Sequence, residues 1–438
     1  MPALSPDDKT SPLENVVWLI AERIASVALS LVVTTVVARH LAPELFGRLN
    51  FLIALVALAA PVMASGLNSL VSREVLARPI FSYAIIGSAL FIRAAIGMFV
   101  ACIATVTSYY YFSVEDHWLF FIVIFASVLN AAVVIDFWLQ AHLLNRYSAI
   151  LRTAVLVLFS CLRILAVWLD AGVAAFVYIL AAEYVLLGGF YLLIYHHLSD
   201  GTHRLRASVE ECYGLMHQSR WLFFSGMAAV LYIKIDQVML GVMVGDRALG
   251  LYVVVAKISE VWYFLPAVLV TSFFPQLINR RANDAQAYAQ DLQKLNDLLF
   301  AMALALALGV SATAGWLVPW LFGADYAAAA PVLVVHIWAA ILVFMRALLS
   351  KWLIVEDLLP LSLLSQVAGA LMNVALNYYL IPLYGPLGAA YATVASYAVA
   401  GYLILFVHPD LRPMARIVSR SLALPYRLAR HGRALYVR

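Results

Sequence analysis

Charge is scarce in this chain. Of its 438 residues only 12% are Asp, Glu, Lys or Arg, while 65% are hydrophobic. Soluble domains carry roughly 25% charged residues, so a water-soluble globule of this size is excluded and lipid must be the main solvent. Cysteine is scarce too. Cys102, Cys161 and Cys212 are odd in number and lack metal-ligand spacing, which excludes a disulfide framework and leaves free thiols. No Gly-x-x-x-x-Gly-Lys-Ser/Thr loop is present, so a P-loop nucleotide site is excluded. The polar connections hold no Asp-x-Asp site and no His/carboxylate cluster, which argues against a glycosyltransferase centre. Nothing in the pattern calls for a cofactor, a metal or nucleic acid. A signal peptide is not expected: residues 1–14 are polar and mixed in sign, and the first apolar run is of spanning length with further runs after it.

What the chain has is long apolar runs. They fall near 15–38, 47–67, 81–107, 117–140, 149–169, 173–195, 221–244, 250–273, 296–322, 331–355, 360–383 and 386–407. Each is long enough to cross the ~30 Å hydrocarbon core. A barrel needs alternating strands, not continuous runs such as LFFIVIFASVLNAAVV. The expected class is therefore all-α, a polytopic membrane protein of about twelve spans. Twelve spans put both termini on one side. That side collects Arg73, Arg78, Arg146, Arg204, Arg206, Arg220, Arg280, Arg281, Lys294 and the seven arginines from Arg412 to Arg438, whereas the other has Arg39, Arg48, Arg247 and acidic pieces such as Glu115-Asp116. Positive charge marks the cytoplasm, so both termini are expected there. The organisation expected is a cytoplasmic N-terminus (1–14), six spans (15–195), a cytoplasmic linker (196–220), six more spans (221–407) and a basic tail (408–438). The tail mixes Arg with Leu, Ile and Tyr. It reads either as an interfacial helix on the anionic leaflet or as a solvated topology anchor.

The two halves echo each other. LAPELFG (41–47) and VGDRALG (244–250) each join the first and second spans of a half and end in a glycine, and Pro61 and Pro266 each lie inside the second span. Internal repeats of this kind underlie many transporters.

Ionisable residues at membrane depth are costly and face the bundle interior. Here they are Glu22, Arg23, Arg93, Asp136, Arg163, Glu183, Lys234, Asp236, Lys257, Glu260 and Arg346. Glu22, Ser26, Ser30 and Thr34 form an i, i+4 stripe, and Gln366, Asn373 and Asn377 another, the pattern of a wet pathway. Six of the eleven charges are cationic, which suits an anionic cargo such as a lipid diphosphate. Lys234 is the leading cargo contact, since Asp236 at i+2 points elsewhere; Arg93 and Arg346 follow. Structural readings stand beside these. Lys257 and Glu260 are spaced to neutralise each other, Arg163 to snorkel, Asp136 to pair with Arg146 or Arg152, and Glu22 with Arg23 to bridge helices. His336 reads as a hydrogen-bonded helix contact. Glu183, mid-span with no sequence partner, leads the candidates for ion coupling, followed by Asp236, Glu22, Asp136 and Glu260.

The stretch YIKIDQVMLGVMVGDRALGLYVVVAKISEVWYFLP (232–266) resembles the seventh and eighth spans of the Wzx-type polysaccharide, or O-antigen, flippases. Further similarity lies at 36–67, 136–152, 321–333 and 373–397, so it runs along nearly the whole chain. The resemblance implies the multidrug/oligosaccharidyl-lipid/polysaccharide exporter superfamily: two six-helix lobes around a central cationic cavity. It implies an undecaprenyl-diphosphate-linked glycan, carried from the cytoplasmic to the periplasmic leaflet of a bacterial inner membrane by a cation gradient. Membrane lipid, a polysaccharide polymerase and chain-length proteins are the partners implied. The family's cationic lumen carries onto Lys234 and Lys257 within the matching stretch; Arg23, Arg93, Arg163 and Arg346 are candidates on depth and charge alone.

Three rivals differ in what they need. A multidrug extruder of the same superfamily favours an acidic cavity for cationic cargo, against the basic excess here. A peptidoglycan-precursor flippase resembles this chain but usually has two further spans, for which there is no room after residue 407. A polymerase or ligase needs a large outer loop, and every outward connection is roughly a dozen residues or fewer. The expected function is transport, not catalysis.

Overall fold

A computed structural model describes residues 12–199 and 205–427. Among the described residues all regular structure is helical. The helices are α1 (Pro12–Ala64), α2 (Asn68–Ala77), α3 (Ser82–Tyr111), α4 (Val114–Val128), α5 (Val134–Ala141), α6 (Asn145–Trp168), α7 (Val173–Leu198), α8 (Val209–Val244), α9 (Asp246–Glu260), α10 (Phe264–Asn283), α11 (Ala285–Phe322), α12 (Ala330–His336), α13 (Ala339–Val355), α14 (Leu359–Tyr384), α15 (Pro386–Gly401) and α16 (Arg412–Leu422).

Among the described residues, ten helices are long and apolar enough to cross a membrane, or eleven when α12 and α13, bent by 46° at their junction, count as one span. The twelfth expected span requires α1 to be two. Its backbone breaks at Ala42, where φ is 57° and ψ 170°, because Pro43 disfavours helical geometry in the residue before it. That break lies in LAPELFG. The matching joint, VGDRALG, turns at Gly245 with φ at 103°, a conformation that suits glycine. Pro266 falls in the first turn of α10, where a missing N–H disturbs little.

Three connections differ from expectation, each because helix continues past the apolar run. The segment taken as linker, 196–220, is helical from Val209 onward as the first turns of α8. Ser208 caps that helix by accepting from the Glu211 N–H, and Glu210 and Glu211 complement its dipole. The polar stretch 274–295 is a helical hairpin: α10 runs to Asn283, and Asp284 caps α11 by accepting from Gln286 and Ala287 N–H. In the described part of the basic tail the apolar face packs on protein. In α16, Met414, Ala415, Ile417 and Val418 are buried, and the helix is tied to α11 by Gln293 and Asn296 donating to Ser421 at 3.0 and 2.8 Å. Arg427 completes the attachment on Asp297 at 3.1 Å.

One apolar core draws on both halves, from Val33, Leu52 and Ile124 to Tyr252, Phe300 and Phe344. A second, built on Ile85, Ile135, Phe159 and Tyr191, includes Leu215 of α8. The N-terminal end of α8 is thus held by the first half. Arg78 donates both terminal nitrogens to Glu211, at 2.7 and 3.0 Å. Side-chain hydrogen bonding to Glu211 raises the Arg78 pKa above its ordinary value, against the opposing effect of burial. Cys102 and Cys161 are exposed and Cys212 partly so, all as free thiols.

Candidate transport pathway

Two clefts carry polar side chains on their walls. The first, about 500 Å³, is lined from five helices, and its polar groups are Arg93 (α3), Ser127 (α4), Asn130, Arg152 (α6), Glu183 and Tyr184 (α7). The second, about 510 Å³, presents Ser26, Ser30 and Thr34 of α1 opposite Lys257 and Glu260 of α9. The hydroxyl stripe expected from spacing therefore does face a cleft.

Arg93 is 8% exposed. One terminal nitrogen reaches Asn68 Oδ1 at 3.4 Å, its Nε is buried with no hydrogen-bond partner, and no carboxylate pairs with it among the described residues. A buried guanidinium without a counter-charge is expensive, so the site is electrostatically incomplete. Arg152 enters the same cleft from a different setting: it donates to Asp136 and, at 3.0 Å, to the Tyr191 hydroxyl. Asp136 also accepts from Gln140 at 2.9 Å and from Ser148. This buried cluster fixes Arg152 against the α6–α7 wall, in line with the structural reading of Asp136.

Several other pairings were not readable from spacing. Glu183 is not alone: it accepts from Arg163, so each of the two arrives with a counter-charge. Glu260 pairs with Lys234 at 3.8 Å, and Lys257 has no carboxylate in ion-pair range among the described residues. Lys234 therefore arrives with a counter-charge, while Lys257 faces the second cleft. Asp236 is 6% exposed; the Tyr252 hydroxyl and the Gln237 N–H, at 2.7 Å, donate to it, and Tyr252 meets Thr393 at 3.1 Å. It has no ion-pair partner among the described residues.

Arg346 lies within the second half, donating to the Ala400 carbonyl at 2.7 Å and Ser365 at 3.2 Å. Asn373 and Asn377 are buried between α14 and α15, where Asn377 donates to Asn373 at 2.8 Å and Asn373 to Ser396 at 3.2 Å. They serve a helix interface, and neither lines either cleft. His336 bonds Ser259 at 3.0 Å, as a helix-contact histidine does. The side chains of Glu22 and Arg23 lie outside the described residues. Sequence reading passed over Arg152 as a cleft residue. Its signal was there: Arg152, Leu156, Phe159 and Arg163 recur at i, i+4, i+7, i+11 on one face of α6.

Comparison with known proteins fits this architecture. The probable low-salt glycan biosynthesis flippase Agl15 of Haloferax volcanii is 23% identical over 235 residues, 52% of this chain and 50% of that protein. This chain thus spans about half the length of that relative. Among solved structures, the lipid II flippase MurJ in an inward closed conformation superposes with a TM-score of 0.69 at 12% identity, covering 94% of this chain and 92% of that one. An inward-facing multidrug resistance MATE family transporter of the MOP superfamily follows at 0.67 and 13% identity, covering 90% and 95%. At such identities the likeness establishes the fold, and all three names are those of transporters, not enzymes. The family model described as polysaccharide biosynthesis protein matches residues 13–279, more than half of the chain, and the chain belongs to that family.

Proposed function

We propose that this protein carries a polyprenyl-diphosphate-linked oligosaccharide from the inner to the outer leaflet of a bacterial cytoplasmic membrane, by alternating access between two six-span halves with both termini cytoplasmic. The observation that carries this reading is Arg93: a buried cation at the wall of a cleft, with no carboxylate to answer it. A diphosphate supplies the missing charge in the paired geometry a guanidinium prefers. Arg152 on the same cleft and Lys257 on the neighbouring one add to the attraction. Membership of a polysaccharide biosynthesis family and similarity to a glycan flippase agree with it. The two joints pack against each other at Gly47 and Gly250.

The fold is equally at home in a multidrug transporter, and the sign of the cleft separates the two. Cationic drugs gain nothing from Arg93. Coupling to a cation gradient falls to Asp236, since Glu183 is occupied by Arg163. A glycan polymerase and chain-length proteins would act on the product. The test is transport in proteoliposomes. Wild type should move polyprenyl-diphosphate glycan between leaflets, Arg93→Ala should lose about tenfold or more, and Arg93→Lys should retain part of the rate. Wild-type transport by Arg93→Ala, or cation extrusion by wild type without glycolipid movement, overturns the reading.

A further inference from the structure

In α16 the anchor and the charges lie on different faces. Met414, Ala415, Ile417, Val418 and Ser421 are buried against protein, while Arg412, Arg416 and Arg420 are exposed. Spaced i, i+4, i+8, the arginines form one row along the helix, about 12 Å long at the ordinary rise per residue. None of them has a carboxylate in ion-pair range among the described residues, and α16 itself contains no Asp or Glu. Of the acidic groups beside the helix, Asp297 holds Arg427 at 3.1 Å and Asp410 meets His408 at 3.5 Å.

The neighbours of α16 fix its level. The preceding spanning helix ends at Phe406, and α16 begins at Arg412. At the other end of α16, the Ser419 and Tyr402 hydroxyls meet at 3.0 Å, and Ser421 accepts from Asn296 at 2.8 Å. Tyr402 lies near the end of that same span, and Asn296 opens the apolar run of α11. Both ends of α16 are thus level with the ends of spans, so the helix runs along the membrane boundary and does not project from it. Leu403, Phe406 and Val407 beside it are exposed apolar side chains, which suits contact with hydrocarbon. An amphipathic helix at such a boundary ordinarily turns its apolar face to lipid. Here protein takes that face, and what α16 offers to its surroundings is a fixed row of positive charge.

We propose that Arg412, Arg416 and Arg420 bind the headgroups of anionic phospholipids, whose phosphates pair with the guanidiniums. The occupant is lipid and not an acidic protein segment, because the row lies at the depth of the headgroup layer. The inference does not depend on the cargo, and its failure would leave the transport reading standing.

Native mass spectrometry of the purified full chain tests it, by titration with phosphatidylglycerol and with phosphatidylcholine of the same acyl chains. Wild type should retain phosphatidylglycerol in preference, and the preference should fall as salt rises. Arg412→Gln, Arg416→Gln and Arg420→Gln together should lower it by about tenfold or more. Lys at the same three positions should keep most of it, since an ammonium still binds phosphate as a point charge. Gln at Arg146, Arg220 and Lys294, exposed basic residues outside the row, removes the same charge and should leave the preference near wild type. An undiminished preference in the first Gln variant, or an equal loss in both Gln variants, overturns the inference. So does a wild type without any preference, which would leave the row to an acidic protein partner.

Discussion

Gly47 and Gly250 occupy reciprocal places where the two joints cross. A Cβ on Gly47 would stand 1.8 Å from the Asp246 carbonyl oxygen, and one on Gly250 1.9 Å from the Pro43 carbonyl oxygen. Each glycine thus admits the backbone of the other half's joint, at a separation no other residue permits. The crossing is reinforced nearby. Arg39 donates to the Leu321 carbonyl at 2.7 Å and to that of Trp320, and the Tyr326 hydroxyl donates to the Ala38 carbonyl at 3.0 Å.

Alanine at either glycine should push the joints apart. Packed backbone cannot absorb a clash of this depth without moving, and overpacking of this kind costs about 1–3 kcal/mol. The measurement is cross-linking between cysteines placed at Glu44 and Arg247, both exposed beside the crossing. Gly47→Ala and Gly250→Ala should each lower the yield several-fold, and the double variant further. An unchanged yield would mean that the crossing gives way elsewhere.

Much of this architecture was legible in the amino-acid order. The apolar runs gave the all-helical membrane class, the glycine-ended joints marked places that meet in space, and the Ser26–Ser30–Thr34 stripe does line a cleft. Choice of ion partner was not legible. Lys257 and Glu260 are spaced to pair, yet Glu260 turns to Lys234 on α8. Glu183 looked unaccompanied because Arg163 reaches it from the preceding helix. Helical periodicity says which residues share a face; how neighbouring helices are rotated against each other decides which faces meet. The same holds for α8 and α16, whose polar ends dock on other helices and so carry no apolar signature of their own.

The Arg163–Glu183 pair should behave as a stabilising contact and not as a coupling site. Removing one partner leaves a half-buried charge unanswered, at a cost of about 2 kcal/mol once partial exposure is discounted. Arg163→Ala and Glu183→Ala should each lower the melting temperature of the purified protein. The double variant should be less destabilised than the two losses added together, and exchanging the two residues should restore most of the stability. Strict additivity would show that the two side chains do not act on each other.

The clasp between Arg78 and Glu211 should hold the foot of α8 to the first half. Its guanidinium pKa lies above the ordinary value, through hydrogen bonding to Glu211. For a group whose folded pKa is raised, the linked stabilisation is complete below the unfolded pKa and fades only as pH climbs through the folded one. For Arg that window lies above pH ~12, so alkaline buffer up to about pH 10 should leave the clasp intact. Arg78→Glu should break it by repulsion, exposing the segment before Val209 to protease, and Glu211→Arg on that background should restore protection. Cleavage that rises with pH in the wild type would contradict the assignment.

On the reading proposed above, ion coupling falls to Asp236, because it is buried and has no ion-pair partner among the described residues. It accepts from the Tyr252 hydroxyl and the Gln237 N–H. A buried carboxylate without an ion-pair partner is suited to exchanging a proton or a cation. Either exchange would alter how tightly α8 is bound to α9 and α15 through Tyr252 and Thr393. Asp236→Asn keeps the shape and much of the hydrogen bonding but removes the exchangeable charge. Cargo exchange at equilibrium should therefore persist in Asp236→Asn, while stimulation by an imposed proton or sodium gradient disappears. Tyr252→Phe should weaken the stimulation without abolishing it, since the carboxylate remains. Full gradient stimulation in Asp236→Asn would remove this residue from the coupling mechanism and return attention to the carboxylates of the clefts.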